Sequence, residues 1–367
     1  MTEMIRTVKY ELPYDQALVD TIKMSVKVFQ FWSDLAFEHG TSGKIDLHHL
    51  GYYTARELFP SMQSMLLLTV RDSVSEARKS TRKKTGEKNP VVKAHSSRGL
   101  RYNDCCYNMS NDGTVSLATV DKRKKYKIIP APGYEGWMRK SATLKIKKGR
   151  IFLHVQYETE APPVQEWKES DVLGIDRGIK NIIATSDNTI INSKHLREVK
   201  GRYQHIKAEL QSQGTRSAKR KLIKISGREN RFVRDVNHCI SKQLAESGYG
   251  VFALEDLSNI RKNAVKGKGG KITRKMIGSW AFRMLSDFTE YKAQALGKLV
   301  VYVNPKNTSQ KCSCCGHTEK KNRNGSSFRC VKCGFSLNAD LNAARNIAEL
   351  GRSVFGRADS QTSQCSP

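Results

Sequence analysis

Residues 311–316 read KCSCCG, and residues 338–347 read NADLNAARNI. A second cysteine pair lies between them, so Cys312-x-x-Cys315 and Cys330-x-x-Cys333 stand fourteen residues apart. A CxxC turn brings two sulfurs toward one ion, and two such turns make a closed tetrahedral thiolate site for zinc. Glycine follows the second cysteine of each pair, at Gly316 and Gly334. Cys314 sits between the partners of the first turn and is expected to point away. His317 is surplus to a shell that four thiolates fill. A closed shell makes the zinc structural, and a segment this short and poor in apolar residues depends on the ion to fold. The chain holds nine cysteines, an odd number, with four in paired spacing, which argues for metal rather than disulfides.

The rest of the chain carries a strong charge bias. Its 367 residues are enough for two or three domains. Against 35 acidic residues stand 64 lysines and arginines, a formal charge of +29 that points to a polyanionic partner. The basic residues cluster, and Arg82, Lys83, Lys84, Arg123, Lys124, Lys125, Lys268 and Lys271 are candidate nucleic-acid contacts, although a lone surface lysine is more often simply solvated. No uninterrupted apolar run is long enough to span a bilayer, and MTEMIRTVKYELPYD lacks an apolar signal core. The expectation is a protein with no membrane partner, cytoplasmic and nucleoid-associated in a prokaryotic host or nuclear in a eukaryotic one.

Periodicity divides the chain. MIRTVKYEL alternates like a strand, and Leu18, Ile22, Phe29, Trp32 and Ala36 fall near one helical face. The pattern predicts a helical unit over residues 13–94, ending in the basic segment RKSTRKKTGEK. Residues 95–165 turn β in character, and LKIKKGRIFLHV is a clear hairpin; with strand 1–12 they suggest a small β-barrel with a basic face. EAPPVQEWKES reads as a linker. VLGIDRGIKNIIATSDNTIINS opens a new domain with a strand hairpin, residues 195–247 are helical and basic with a break near QSQGT, and GYGVFALEDL is a buried strand. RKNAVKGKGGKITRK is expected to be a mobile basic loop. SWAFRMLSDFTEYKAQALG is an amphipathic helix, and KLVVYVNP a further strand. The tail over 351–367 is low in apolar residues and is expected to be disordered.

Three carboxylates sit where they are costly. Asp176 in VLGIDRG and Glu255 in VFALEDL lie on apolar strands, and Asp340 lies near a helix start. A buried carboxylate needs a partner or a cation. Two from strands and one from a helix would suit Mg²⁺ or Mn²⁺, and a pair of such ions about 3.5–4 Å apart clamps the attacking and leaving oxygens of a phosphodiester. Each acid has a plainer reading: Asp340 as a helix N-cap, Asp176 as a turn residue, Glu255 as an ion-pair partner of a nearby lysine.

The ordered set GIDRG, ALEDL, NPKNTSQKCSCCG and CVKCGFSLNADLNAARNIA resembles the TnpB family, transposon-encoded RNA-guided DNA nucleases related to the compact type V CRISPR effectors. The likeness is dense from about residue 170 to 350 and looser over 1–165. It implies an α/β fold plus a β-barrel and a helical lobe: a RuvC-like, RNase H-like nuclease domain over 166–310 and 335–350, a zinc ribbon inserted at 311–334, and a wedge-like barrel over 1–12 and 95–165 that holds the helical recognition domain 13–94. The resemblance puts the catalytic acids at Asp176, Glu255 and Asp340 and a mobile lid at 261–275. It implies two Mg²⁺ or Mn²⁺ ions beside the structural Zn²⁺, a guide RNA, and double-stranded target DNA with its displaced single strand, next to a short adjacent motif. Arg345, five residues beyond Asp340, is a possible phosphate contact or a plain helix-surface arginine. Some relatives have lost catalytic acids and act as guided DNA-binding proteins; all three acids stand here. A repressor without cleavage, a nonspecific zinc-ribbon binder and a strand-joining transposase are the competing readings.

Overall fold

The structure, a computed structural model, describes residues 3–95, 99–257 and 282–362. The chain divides into two compact units, Met1–Glu160 and Ala161–Pro367. The basic loop 261–275, with Lys268 and Lys271, lies outside the described residues.

The first unit opens with β1 (Glu3–Leu12) and three helices, α1 (Gln16–Glu38), α2 (Lys44–Leu58) and α3 (Ser64–Thr85). Asp15 caps α1, its carboxylate accepting from the Ala17 N–H at 2.8 Å, and so satisfies a donor the first turn leaves open. The stripe Leu18, Ile22, Phe29, Trp32 and Ala36 is buried, as its helical spacing predicts. The last turn of α3 carries Arg82, Lys83 and Lys84, cations placed favourably at a helix C-terminus, and Gly86 at φ +77° ends it. Six strands follow: β2 (Leu100–Tyr102), β3 (Tyr107–Met109), β4 (Thr114–Ala118), β5 (Arg123–Lys127), β6 (Met138–Lys147) and β7 (Arg150–Glu160). They form two sheets, β1-β7-β6-β2 and β3-β4-β5. Tyr102, Leu144 and Leu153 from the first sheet and Val115, Leu117 and Tyr126 from the second share one core with the helices.

The second unit is built on a five-stranded sheet in the order β10-β9-β8-β11-β12. Its strands are β8 (Val172–Arg177), β9 (Asn181–Thr185), β10 (Ile190–Asn192), β11 (Val251–Glu255) and β12 (Leu299–Val303). The three strands β8, β11 and β12 run parallel, while β9 and β10 are antiparallel additions. Helices α4 (Lys194–Gln213), α5 (Arg216–Ala245) and α6 (Phe282–Gln294) precede β12, and α7 (Ala339–Thr362) closes the described chain. Parallel strands are buried on both faces, so their residues partition by alternation. Leu173, Ile175, Phe252 and Leu254 pack with Ile240 and Leu244 of α5 and Leu285 of α6. Val172, Val251 and Ala253 pack on the other face with Ile347 and Phe355 of α7.

Helix α7 lies very close to the sheet. A Cβ on Gly174 would stand 2.1 Å from the Ala344 carbonyl oxygen and 2.4 Å from the Ala348 nitrogen. A Cβ on Gly351 would meet the Ala253 Cβ at 2.4 Å. The small residues of NADLNAARNIAELG are the ones that permit this approach.

Two boundaries differ from the sequence expectation. The tail from 351 is not disordered as far as Thr362: α7 runs to that residue. Phe355, eight residues after Ile347, continues the same buried helical face, and the Arg352 Nε donates to the Glu169 carbonyl at 3.1 Å. Low apolar content hid a face that needs only Ile347, Gly351 and Phe355. The ribbon also extends past 334. Its sheet comprises β13 (Arg323–Asn324), β14 (Ser327–Arg329) and β15 (Ser336–Asn338), and β15 leads straight into α7.

Candidate functional site

The four ribbon cysteines converge. Their sulfurs lie within 4.8 Å of one another, with Cys312 to Cys333 at 3.7 Å and Cys315 to Cys330 at 3.6 Å. Zinc–sulfur bonds of about 2.3 Å in a tetrahedron set neighbouring sulfurs about 3.8 Å apart, so the tetrad fits zinc. The two turns are built alike. The Gly316 and Gly334 N–H groups bond back to the Cys312 and Cys330 carbonyls at 2.9 Å, and both glycines adopt positive φ, +74° and +75°. Cys314 is exposed and outside the tetrad, and the His317 Nε2 faces Glu319 at 3.2 Å.

The acids arise from the sheet. Ile175 of β8 pairs with Leu254 of β11 in parallel register, so Asp176 and Glu255 follow as neighbours at the same end of adjacent strands. By alternation, Asp176 shares the face of Val172 and Gly174, and Glu255 that of Val251 and Ala253. This is the face α7 covers, and Asp340 lies in the first turn of α7. The helix is capped by Asn338, whose Oδ1 accepts from the Asp340 N–H at 2.9 Å. Asp340 is therefore not the cap, and its carboxylate is left for other partners. Asp256, the other acid of VFALEDL, is exposed.

Each acid is individually braced or crowded. Asp340 Oδ2 accepts from the Asn181 side-chain amide at 2.8 Å, and its Oδ1 from Arg323 Nη2 at 3.0 Å. Glu255 Oε1 accepts from the Thr308 hydroxyl at 2.5 Å. Burial pushes the Asp176 carboxyl up to about 7, helped by the charges of Glu255 and Asp340 and opposed by Arg323 and Arg177. Glu255 is raised too, by burial, with Thr308, Arg177 and Arg323 acting against it. A buried Asp176 raised by the charges of two neighbouring carboxylates belongs to a site short of positive charge. Hard oxygen donors with that deficit suit a divalent cation such as Mg²⁺ or Mn²⁺. Among the described residues, only the cysteine tetrad closes to within 4.8 Å as a group of three or more metal-ligating side chains, so the carboxylates do not crowd around one point.

Of the residues singled out from sequence, the structure brings Asp176, Glu255 and Asp340 to one face. It holds Arg345 elsewhere: its Nη2 donates to Asn188 Oδ1 at 3.0 Å, in the turn between β9 and β10. Arg82, Lys83, Lys84 and Lys125 are exposed in the first unit, while Lys124 pairs with Asp15 at 3.5 Å and Asp121 at 3.4 Å. Sequence reading missed Arg323, Asn181 and Thr308. None of them lies on an apolar period, and only the placement of Thr308 in NPKNTSQ, a matched motif, offered a signal.

The structure also accounts for the asparagines of NADLNAARNI. Asn342 donates to the Lys311 carbonyl at 2.8 Å and accepts from the Ser313 N–H at 3.0 Å. Asn346 donates to the Thr308 and Lys311 carbonyls at 2.8 and 2.7 Å. Both are buried, and both tie α7 to the segment entering the ribbon.

Comparison with known proteins gives two family-model matches. A "Probable transposase" model matches residues 154–263, and a "Cas12f1-like, TNB domain" model matches residues 282–347. InsQ of Escherichia coli K12, named as a candidate RNA-guided DNA endonuclease, is 29% identical over 251 residues, covering 60% of this chain and 61% of InsQ. A TnpB-like protein of Methanocaldococcus jannaschii is 33% identical over 259 residues, covering 66% of this chain and 87% of that protein. The CRISPR-associated endodeoxyribonuclease Cas12f1 of Sulfoacidibacillus thermotolerans is 38% identical over 117 residues, covering 30% of this chain and 26% of that one. The chain thus spans less than two thirds of the length of InsQ and of that Cas12f1. Among solved structures, a Cas12f1–sgRNA–target DNA complex aligns at TM-score 0.64 and 16% identity over 91% of this chain and 82% of its own, a likeness of fold.

Proposed function

The chain belongs to the TnpB family, and on that premise we propose that it is an RNA-guided DNA endonuclease. In this reading a transposon-derived guide RNA selects target DNA beside a short adjacent motif, and the acids of the second unit hydrolyse its phosphodiester bonds. One observation carries the nuclease reading: Asp176, Glu255 and Asp340, from two parallel strands and a late helix, share one face. The β8–β12 sheet then acts as an RNase H-like, RuvC-type nuclease domain with the zinc ribbon inserted before its last helix. The two sheets of the first unit act as the wedge-like barrel, and α1–α3 as the recognition domain inserted in it.

Two Mg²⁺ or Mn²⁺ ions, when bound, supply the Lewis acidity that phosphodiester hydrolysis requires. Asp176, raised by the charges of both other acids, would help to hold both ions, with Glu255 and Asp340 helping to hold one each. Thr308 orients Glu255, and Asn181 orients Asp340. A carboxyl that favours a proton near neutrality gains more from a cation than an ordinary aspartate does. Arg323, within reach of Asp340, is better placed than Arg345 to meet a phosphate at this site. Guide and target pairing supplies the sequence information, so the protein needs backbone contacts above all, and the exposed Arg82, Lys83, Lys84 and Lys125 suit that need. Partners are the guide RNA, the target duplex and its displaced strand. No described helix is long and apolar enough to cross a membrane.

The test is to purify the chain with its co-purifying nucleic acid, sequence the RNA, and supply a matching target with Mg²⁺. Cleavage that Asp176→Ala abolishes, with RNA and target binding retained, is the expected result. Binding without cleavage by the unaltered protein would make it a guided DNA-binding protein and remove the nuclease reading.

A further inference from the structure

The backbone pairing between β8 and β11 stops one residue short of the acids. Its parallel register runs from Val172 opposite Val251 to Ile175 opposite Leu254 and ends there. Beyond that point each strand is held from its outer side. Asp176 and Arg177 pair with Ala184 and Ile183 of β9, and Glu255 pairs with Val303 of β12. Asp176 and Glu255 therefore stand just past the ladder that joins their strands, and that ladder alone does not set their spacing.

A side chain crosses from one strand to the other at this point. Arg177 Nη2 donates to the Glu255 carbonyl oxygen, and its Nη1 donates to the Ser286 hydroxyl of α6. Arg177 and Ser286 are both buried. By alternation Arg177 shares the face of Leu173 and Ile175, opposite Asp176. That face packs on α5 and α6, where Leu173 and Ile175 cluster with Ile240, Leu244 and Leu285. The apolar period of the strand calls for another aliphatic residue at position 177, and a buried cation is the costlier choice there. Arg177 thus lies behind the acids, away from the face on which they would meet a phosphate.

We infer that Arg177 is a positioning residue that fixes the separation of the two strand-borne acids. It follows Asp176 directly in the chain and bonds the main chain of Glu255, so one planar group links the backbones that carry both carboxylates. A guanidinium is rigid and donates in fixed directions, whereas an ammonium is a point charge on a flexible stem. The second bond, to Ser286, braces the fork against α6. Spacing matters because the acids would hold two ions about 3.5–4 Å apart, and a displacement of roughly 1 Å costs about a hundredfold in rate. The inference rests on the nuclease reading above and names what aligns its site.

The test compares Arg177→Lys, Arg177→Met and Ser286→Ala with the unaltered full chain. Cleavage is read with the co-purified guide RNA at saturating matched target and Mg²⁺, well below every melting temperature. Target binding is read by gel shift in chelator. Mn²⁺ binding is read by calorimetry on the chain stripped of nucleic acid, because RNA binds Mn²⁺ itself. Arg177→Lys keeps the charge and loses the fork. It should cleave about ten- to a hundredfold more slowly and bind Mn²⁺ about three- to tenfold more weakly, with target affinity within about twofold. Arg177→Met should be impaired at least as much. Ser286→Ala removes only the brace on α6 and should slow cleavage about three- to tenfold. An Arg177→Lys protein that cleaves and binds Mn²⁺ like the parent overturns the inference, because charge alone would then suffice. Target affinity that falls in step with rate overturns it too, because the arginine would then support the fold as a whole. If neither Arg177 variant folds, Ser286→Ala decides: slower cleavage with intact target binding supports the clamp, and an unchanged rate overturns it. If the unaltered protein binds Mn²⁺ without cleaving, weaker Mn²⁺ binding in Arg177→Lys supports the clamp and equal binding overturns it. An unaltered protein that neither cleaves nor binds Mn²⁺ overturns the nuclease reading and this inference with it, whereas an active protein with indifferent variants overturns this inference alone.

Discussion

Asp176→Asn should stabilise the protein when no divalent cation is present and make it unresponsive when one is. The Asp176 carboxyl is pushed up to about 7, mainly by burial and then by Glu255 and Asp340. From an ordinary aspartate value that is a shift of about three units, worth up to about 4 kcal/mol against the ionised form. Solvent reaching the half-buried side chain reduces this, leaving about 2–4 kcal/mol. The sign follows from proton binding: between the two values the folded state holds a proton the unfolded state has released, so stability falls as pH rises through that window. Above pH 8 the charged Asp176 bears the full penalty, and near pH 4 it bears almost none. Asparagine carries no charge at any of these values. In chelator at pH 8 the variant should therefore melt roughly 5–15 °C higher, taking about 2–4 °C per kcal/mol for a unit of this size. The advantage should shrink steadily toward pH 4. Adding Mg²⁺ should raise the unaltered protein and leave the variant nearly still. Thermal unfolding followed across pH, with and without Mg²⁺, reads all of this. A variant no more stable than the parent at pH 8 in chelator, or an advantage indifferent to pH, would refute the reasoning.

Three further outcomes follow from the geometry. Cys312→Ser and Cys333→Ser should lose bound zinc, while Cys314→Ser, outside the tetrad, should retain it; a colorimetric zinc assay on purified protein decides, and zinc loss in Cys314→Ser would reassign the ligands. Gly174→Ala puts a Cβ 2.1 Å from the Ala344 carbonyl, so α7 must lift from the sheet. It should cost about 1–3 kcal/mol and depress cleavage by moving Asp340 away, measured by melting and by a cleavage assay on the same preparation. Arg323→Ala removes the guanidinium that bonds Asp340 and should tighten Mn²⁺ binding measured by calorimetry, since that cation no longer competes for the carboxylate. Weakened Mn²⁺ binding would show instead that Arg323 positions Asp340.

Most of the second unit is legible in the sequence because its signals are local and redundant. A CxxC pair needs only its spacing to declare a thiolate site. VLGID and VFALE are short apolar runs ending in an acid, and the need to compensate a carboxylate on such a strand is visible without coordinates. Asp340 was harder, because an acid near a helix start is ordinarily a cap. Asn338 settles it by taking the cap itself, and that choice depends on the exact residue at which the helix begins. Arg323 and Asn181 were not legible, and Thr308 only through its place in NPKNTSQ, because the three reach the acids across 17, 159 and 53 residues of sequence. The helical tail was missed for a related reason. Three well-spaced contacts anchor it, and composition averages them away.

The paired asparagines of α7 have a consequence for how this region can vary. Asn342 and Asn346 grip the segment that enters the ribbon, and Asn338 sits where the chain leaves it. The cysteine-bearing lobe therefore stands on α7 by both feet. Extra residues inserted at the exposed Gly325 turn would lengthen the far tip and leave the footing intact. The same insertion between Thr308 and Lys311 would pull one foot free, and the acid on that helix would lose its alignment with the two on the sheet.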